Sequence, residues 1–340
     1  MDFPVSCRPL IIMMAMIMAM LKNSAYAQSN PEIPLSVALV AGNAYSTWTS
    51  PSGDFAFGFR QVSPSTGYLL AIMFDKMPET EKTIVWSAKG GHPVEPGSRV
   101  QLYDNGRYEL RDTRGNTIWS ANVIGSGGVD YGAILDNGNF VLKRNNSVVW
   151  QSFDEPTDTL LPGQAVLNQN GSLFARFSET IFAKGRYKFI LQTDGSLVLY
   201  TLYYPIGYYM VAYWYTQTIN TGYQVIFSQS GNVYLTARNG TILNRISSSG
   251  VPVSKFYQRL TLDCDGVLRR YVFPKSNKST GGRPMRWSVD VSAPPDICLR
   301  VGGTRGRGVC GLNSLCTSEV IEGLIVAVGM GALCGKETKR

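Results

Sequence analysis

Five residues spaced two apart, Gln192, Asp194, Ser196, Val198 and Tyr200, fall in the run QTDGSLVLY. On a β-strand, residues two apart point to the same face. The run therefore gathers an amide, a carboxylate, a hydroxyl, a small apolar group and a phenol on one side. Such a set suits reversible, hydrogen-bonded recognition of a polar ligand, with no covalent bond made or broken. Phe189, Leu191, Leu197 and Leu199 on the opposite face suit a core-facing side. A hairpin scaffold alone accounts for the same residues, because an Asp-Gly turn followed by alternation is what any hairpin needs.

Other chemistry finds little support. His92 is the single histidine of 340 residues, which argues against His-dependent triads and His-ligated zinc. There is no Cys-x-x-Cys pair. Gly306-x-Gly308-x-x-Gly311 formally matches a dinucleotide fingerprint, but no apolar strand precedes it and Cys310 interrupts it. Two carboxylates would suffice for a glycosidase, yet no spacing nominates a pair among the 24 acidic residues. We expect no enzyme, no metal and no cofactor.

The elements that would position these residues are short strands. Runs such as GDFAFGF, GYLLAIMF and NFVLKR alternate between Gly, Asn, Asp and Pro punctuation, as in sandwiches, barrels and prisms. Three look-alike strands end in tryptophan: IVWSA with Trp86, TIWSA with Trp119 and VVWQS with Trp150. A short strand with one large ring cannot close its own core, whereas three copies stacked about an axis can. A second, more degenerate set follows turns at Asp194-Gly195, Ser230-Gly231 and Asp265-Gly266, with Trp214, Leu243 and Trp287 as the matching large residues.

The N-terminus reads as a signal peptide. Arg8 precedes the apolar run Leu10 to Leu21, and Ala25-Tyr26-Ala27 offers a cleavage site before Gln28; an N-terminal anchor is the alternative. Asn145, Asn170, Asn239 and Asn277 are N-glycosylation acceptors. Cys298, Cys310, Cys316 and Cys334 crowd the C-terminus and read as a disulfide-stapled segment, with Cys264 as a free thiol. The net charge of +8 is spread without a block, a solvated surface rather than a nucleic-acid stripe.

The string VWQSFDEPTDTLLPGQ resembles the signature closing the bulb-type lectin domain of plant G-type lectin S-receptor-like kinases. SPSGDFAFGF and TIVWSA resemble earlier stretches of that domain, and CGLNSLC resembles the start of the EGF-like module that follows it. The resemblance implies an all-β architecture: tandem bulb-type lectin β-prisms, each of three four-stranded sheets about a pseudo-threefold axis, then a partial EGF-like segment. It also implies mannose binding through Gln-x-Asp-x-Asn-x-Val-x-Tyr. The Gln192 strand matches at four of these five positions, with Ser196 in place of Asn. A lost neutral hydrogen bond of about 0.5–1.5 kcal/mol would weaken such a site up to roughly tenfold. The Leu135 strand keeps Asn139 and Val141, with Asn137 for Asp, and is a weaker candidate. The strands at Tyr103, Ser228 and Asp263 keep less.

By the EGF-like pattern Cys298 would pair with Cys316, leaving Cys310 for Cys334, one of three possible pairings. After about Ser318 the family pattern stops. The apolar tail Gly323 to Cys334 is too short to span a bilayer, and reads either as a frameshifted end or as a buried terminal strand or helix. The expected organisation is a signal peptide (1–27), a bulb-type lectin domain (28–164), a second, degenerate one (165–289), a partial EGF-like module (290–318) and a divergent tail (319–340). The expected function is a secreted, mannose-type carbohydrate-binding ectodomain without a kinase or membrane span. The alternative is a protein-interaction or decoy module with decayed sugar sites. Partners are glycans or another ectodomain, not nucleic acid, with a homodimer allowed.

Overall fold

The pairs Asn105-Gly106, Asn137-Gly138, Asp194-Gly195 and Asp265-Gly266 each turn the chain back on itself. The glycines Gly106, Gly138, Gly195 and Gly266 have φ of +74°, +82°, +84° and +86°, a left-handed region that costs glycine little. The preceding Asn105, Asn137, Asp194 and Asp265 each accept the backbone N–H two residues on, at 2.8–3.1 Å. This is the Asx turn that makes these residues good hairpin tips.

The computed structural model describes residues 32–43, 46–63, 67–88, 91–124, 127–167, 171–202, 209–247, 250–276, 285–295, 318–321 and 324–327. The signal-peptide region, Asn170, Asn277 and Cys298, Cys310, Cys316 and Cys334 lie outside them, as does most of the EGF-like segment.

The first twelve strands are β1 (Ile33–Pro34), β2 (Ala38–Val40), β3 (Thr47–Thr49), β4 (Phe55–Ser63), β5 (Gly67–Phe74), β6 (Ile84–Ser87), β7 (Arg99–Leu102), β8 (Tyr108–Arg111), β9 (Thr117–Ser120), β10 (Tyr131–Ile134), β11 (Phe140–Arg144) and β12 (Ser147–Gln151). They form three four-stranded sheets: β3-β4-β5-β6, β2-β7-β8-β9 and β1-β10-β11-β12. The next twelve are β13 (Thr159–Leu160), β14 (Gln164–Leu167), β15 (Ser172–Arg176), β16 (Lys184–Leu191), β17 (Leu197–Leu202), β18 (Tyr209–Tyr215), β19 (Gln224–Phe227), β20 (Val233–Thr236), β21 (Ile242–Ser247), β22 (Phe256–Leu262), β23 (Leu268–Pro274) and β24 (Ser288–Ala293). They repeat the wiring: β15-β16-β17-β18, β14-β19-β20-β21 and β13-β22-β23-β24. The protein is an all-β tandem of three-sheet prisms. Strand pairing places Thr159, Leu160 and Gln164 with the second set, ahead of the division after 164 expected from the motif string. In the tail, β25 (Ser318–Ile321) and β26 (Leu324–Ala327) form a separate hairpin.

The three tryptophans meet on the axis of the first prism. Trp86, Trp119 and Trp150 lie with ring centroids 5.8, 6.1 and 5.7 Å apart and interplanar angles of 74°, 72° and 70°. These near-equal edge-to-face contacts are the threefold relation made visible. The motif string then binds two of them: Trp86 Nε1 donates to the Glu155 carbonyl at 2.8 Å, and Trp150 Nε1 to Glu155 Oε1 at 2.9 Å.

The axis of the second prism is built differently. Trp119, Trp150 and Trp214 lie opposite Leu110, Leu142 and Leu199, each leucine five residues beyond its turn Asx. The corresponding pairs in the other two sheets are Leu235 with Asn244 and Arg270 with Val291. Leu243 sits at the bulge beside Asn244 and packs on the second core. Trp287, placed in this set by sequence, is elsewhere. It packs on Phe74 and Phe273 with centroids 5.2 and 5.4 Å away, and its indole donates to the Glu81 carbonyl at 3.1 Å.

Trp287 belongs to the contact between the prisms. Tyr257 and Phe273 join the first prism's core, and the Tyr257 hydroxyl donates to Asp54 at 2.8 Å. In return, Phe182 covers Ala56, Leu69, Ala71, Met73 and Ile84 on the first prism. Arg176 ion-pairs with buried Asp158 and donates to the Ile84 carbonyl. The sheets β3–β6 and β13-β22-β23-β24 are thereby committed to the interface, and β15 with the β15–β16 connection adds Arg176 and Phe182 to it.

Candidate functional site

The Gln192 hairpin joins β16 to β17. Gln192 N–H donates to the Ser196 carbonyl at 2.8 Å and Gly195 N–H to the Gln192 carbonyl at 2.9 Å, closing the turn. A second segment, Thr216 to Gly222, seats it from below. Thr218 Oγ1 donates to the Gly195 carbonyl at 2.8 Å, Leu197 N–H donates to Thr216 Oγ1 at 3.0 Å, and Asn220 N–H donates to the Asp194 carbonyl. A Cβ on Gly195 would lie 2.8 Å from the Gly222 nitrogen, so glycine is required there by contact as well as by φ.

Asp194 is exposed at the tip, with Oδ1 holding the Ser196 amide. Gln192 and Tyr200 are half-buried and bonded to each other: the amide donates to the phenol oxygen at 2.9 Å. Gln192 stands beside Ser196, whereas Tyr200 lies two residues beyond Val198, so this bond bridges the row that holds Val198 and its partner Ile190. Val198 is accordingly only 3% exposed, and Ser196 is buried as well. The five side chains share one region, but only Asp194 stands clear.

Asn137, Asn139 and Val141 are arranged differently. Asn137 caps its turn and is exposed, while Asn139 and Val141 are buried. The Asn139 amide donates to Gln151 Oε1 at 2.8 Å, and its oxygen accepts Ser152 Oγ at 3.2 Å and Phe153 N–H at 3.3 Å. It fastens β11 to the segment after β12.

On the Tyr103 strand, Glu109 occupies the valine position, fully buried, with Arg107 at 2.9 Å and Arg111 at 2.6 Å; Arg111 also stacks on Tyr103 at 4.6 Å. On the Ser228 strand the polar groups bond among themselves: Asn232 donates to Ser230 Oγ at 2.9 Å, and Ser228 and Ser230 hydroxyls are 2.9 Å apart. On the Asp263 strand, Arg269 pairs with Asp263 and Asp265, each at 2.7 Å, and Tyr271 donates to Asp263 at 2.6 Å. Burial, reinforced by Asp263, raises the Tyr271 pKa. Burial opposes the Arg269 charge, but Asp265 and Asp263 outweigh it and hold its pKa up. This face also packs Arg259 over Tyr271 and Trp287, 3.8 and 4.8 Å from their rings.

Cys264, read as a free thiol, is disulfide-bonded in the turn before Gly266. Asn145 and Asn239 are exposed at hairpin tips. Among the described residues no group of three or more His, Cys, Asp or Glu is placed to hold a metal, and no helix is long and apolar enough to cross a membrane.

Sequence reasoning missed Tyr215. The residue after each axial tryptophan faces the motif's valine position: Ser87 opposite Ala71, Ser120 opposite Glu109, Gln151 opposite Val141 and Tyr215 opposite Val198. The signal was present in Trp214-Tyr215, but it is readable only once the register is known.

The family model for D-mannose binding lectins matches residues 83–178, a segment that ends before Gln192. G-type lectin S-receptor-like serine/threonine-protein kinase LECRK2 of Oryza sativa subsp. indica is 38% identical over 308 residues, covering 87% of this chain and 37% of that protein. RLK1 of Arabidopsis thaliana, described in the same words, is 35% identical over 310 residues, covering 85% of this chain and 35% of that protein. The chain thus spans little more than a third of the length of these relatives. Among solved structures, Japanese Marasmius oreades lectin aligns with a TM-score of 0.27 and 18% identity over 38% of this chain and 88% of that one. The two-domain lectin from Scilla campanulata aligns with a TM-score of 0.23 and 16% identity over 72% of this chain and 88% of that one.

Proposed function

We propose that this chain belongs, through its lectin-bearing region, to the G-type lectin S-receptor-like family and is a carbohydrate-binding ectodomain unit. It takes mannose-type glycans at the Gln192–Tyr200 hairpin, without metal or cofactor and without chemistry of its own. The observation that carries this reading is the exposed carboxylate of Asp194 on a rigid turn, beside a paired amide and phenol. A sugar hydroxyl donating to Asp194 forms a charge-assisted bond, stronger than a neutral one. The other strands carry motif positions that are buried in ion pairs, fastened into the scaffold or engaged with one another, and β22–β24 face the neighbouring prism. Secretion, with Asn145 and Asn239 as exposed glycosylation acceptors, completes the proposal.

A second reading, a protein-interaction module with decayed sugar sites, draws on the mutual Gln192–Tyr200 bond and the burial of Ser196. A glycan array separates the two. The full chain is expected to retain mannose-type glycans, and Asp194→Ala to lose them. Asp194→Asn keeps an oxygen for the Ser196 amide, and should weaken binding about tenfold as a charged acceptor becomes neutral. Folded wild-type protein that binds no glycan above background refutes the lectin reading.

A further inference from the structure

We propose that Tyr215 is the apolar contact of the carbohydrate site, taking over the role that the sequence pattern gives to Val198. The inference rests on the reading of the Gln192–Tyr200 hairpin as the sugar site.

A pyranose has one face of C–H groups and a rim of hydroxyls. A site that holds it through hydroxyls on one side gains by covering that face with an apolar surface. Val198 cannot provide one: it is 3% exposed, lying under the row bridged by the Gln192–Tyr200 bond. Tyr215 is its cross-strand partner on β18, shares its face, and is 59% exposed. An aromatic ring is a large flat surface with a polar tip, and opposite residues on paired strands stand close together.

The position is distinctive within the protein. Opposite the motif's valine position the six sheets carry Ser87, Ser120, Gln151, Tyr215, Arg245 and Ser292. Only the sheet with the nearly complete motif puts an aromatic there. Ile219 is 63% exposed and adjoins Asn220, whose N–H holds the Asp194 carbonyl. Ile219 thus adds a second exposed apolar side chain on the segment that seats the Asp194 turn. A ligand reaching from Asp194 to Tyr215 meets a carboxylate at one end and a ring at the other, the pairing that a sugar satisfies with one hydroxyl edge and one C–H face.

The test is titration of the full chain with methyl α-mannopyranoside, followed by saturation-transfer NMR, for wild type, Tyr215→Ala, Tyr215→Phe and Asp194→Ala. Because Tyr215 is mostly exposed, both substitutions should leave the fold intact, checked by circular dichroism. Loss of the ring's apolar cover is expected to weaken binding about five- to tenfold in Tyr215→Ala. Tyr215→Phe should bind like wild type, with saturation transfer strongest at the sugar's C–H protons. Unchanged affinity in Tyr215→Ala, with binding lost in Asp194→Ala, overturns the role of Tyr215 and leaves the site standing. Equal weakening in Tyr215→Phe and Tyr215→Ala also overturns it, since the hydroxyl would then be the contact. No binding by wild type refutes the site and this inference together.

Discussion

Replacing Trp150 by alanine is expected to lower the unfolding free energy by about 3–5 kcal/mol and the melting temperature by roughly 10 °C, measured by thermal and urea unfolding. The indole is buried, meets Trp119 and Trp86 edge-on at 5.7 and 6.1 Å, and contacts Phe140 at 6.4 Å. Three sheets share this point, so the cavity left by truncation cannot close by shifting one strand. Trp150→Phe separates packing from hydrogen bonding. It keeps a ring on the axis and gives up the 2.9 Å bond to Glu155, so its cost should be less than half that of alanine. Equal costs would mean that the Glu155 bond, not the axial packing, holds the first prism.

Asp290→Ala is expected to cost about 3 kcal/mol, at the lower end of what losing one partner of a buried ion pair costs, because Asp290 is partly exposed. Arg270 is fully buried at the register where four other sheets carry Leu110, Leu142, Leu199 and Leu235. Its guanidinium has Asp290 and the Gly231 carbonyl as partners, the latter at 2.6 Å, and its Nε is unbonded. Without Asp290 the charge is stranded in the core. Arg270→Leu restores the residue used at the other positions. Replacing a buried ion pair with apolar packing is often neutral or stabilising, so Arg270→Leu should be close to wild type, and Asp290→Ala should cost little in that background. Denaturant unfolding of the four proteins forms the cycle; an additive result would show that the pair is not coupled.

The sequence carried the first prism well. Turn Asx residues, alternation and the spacing of Trp86, Trp119 and Trp150 are local signals, and the structure brings the three rings to one axis. The second prism was harder because its signals depend on register. Trp287 follows the Asp265 turn at a distance that loop length can absorb, and strand pairing gives the axial place to Val291 opposite Arg270. The site divides in the same way. Spacing put the Gln192 residues on one face, but could not show that the Gln192–Tyr200 bond crosses Val198's row, or that Tyr215 stands beside it. Nor could it show that the Asp263 strand faces the other prism, because that depends on how two independent units pack.

The proposed site puts the sugar on one of the six four-stranded sheets. Hydrogen exchange of the full chain, with and without saturating methyl α-mannopyranoside, tests it directly. Slowed exchange is expected at amides 192–200 and 215–222, with the amides of 103–111, 135–143 and 263–271 unchanged. Sugar-dependent protection at any of those three strands, or bound sugar that leaves 192–200 unprotected, would contradict it.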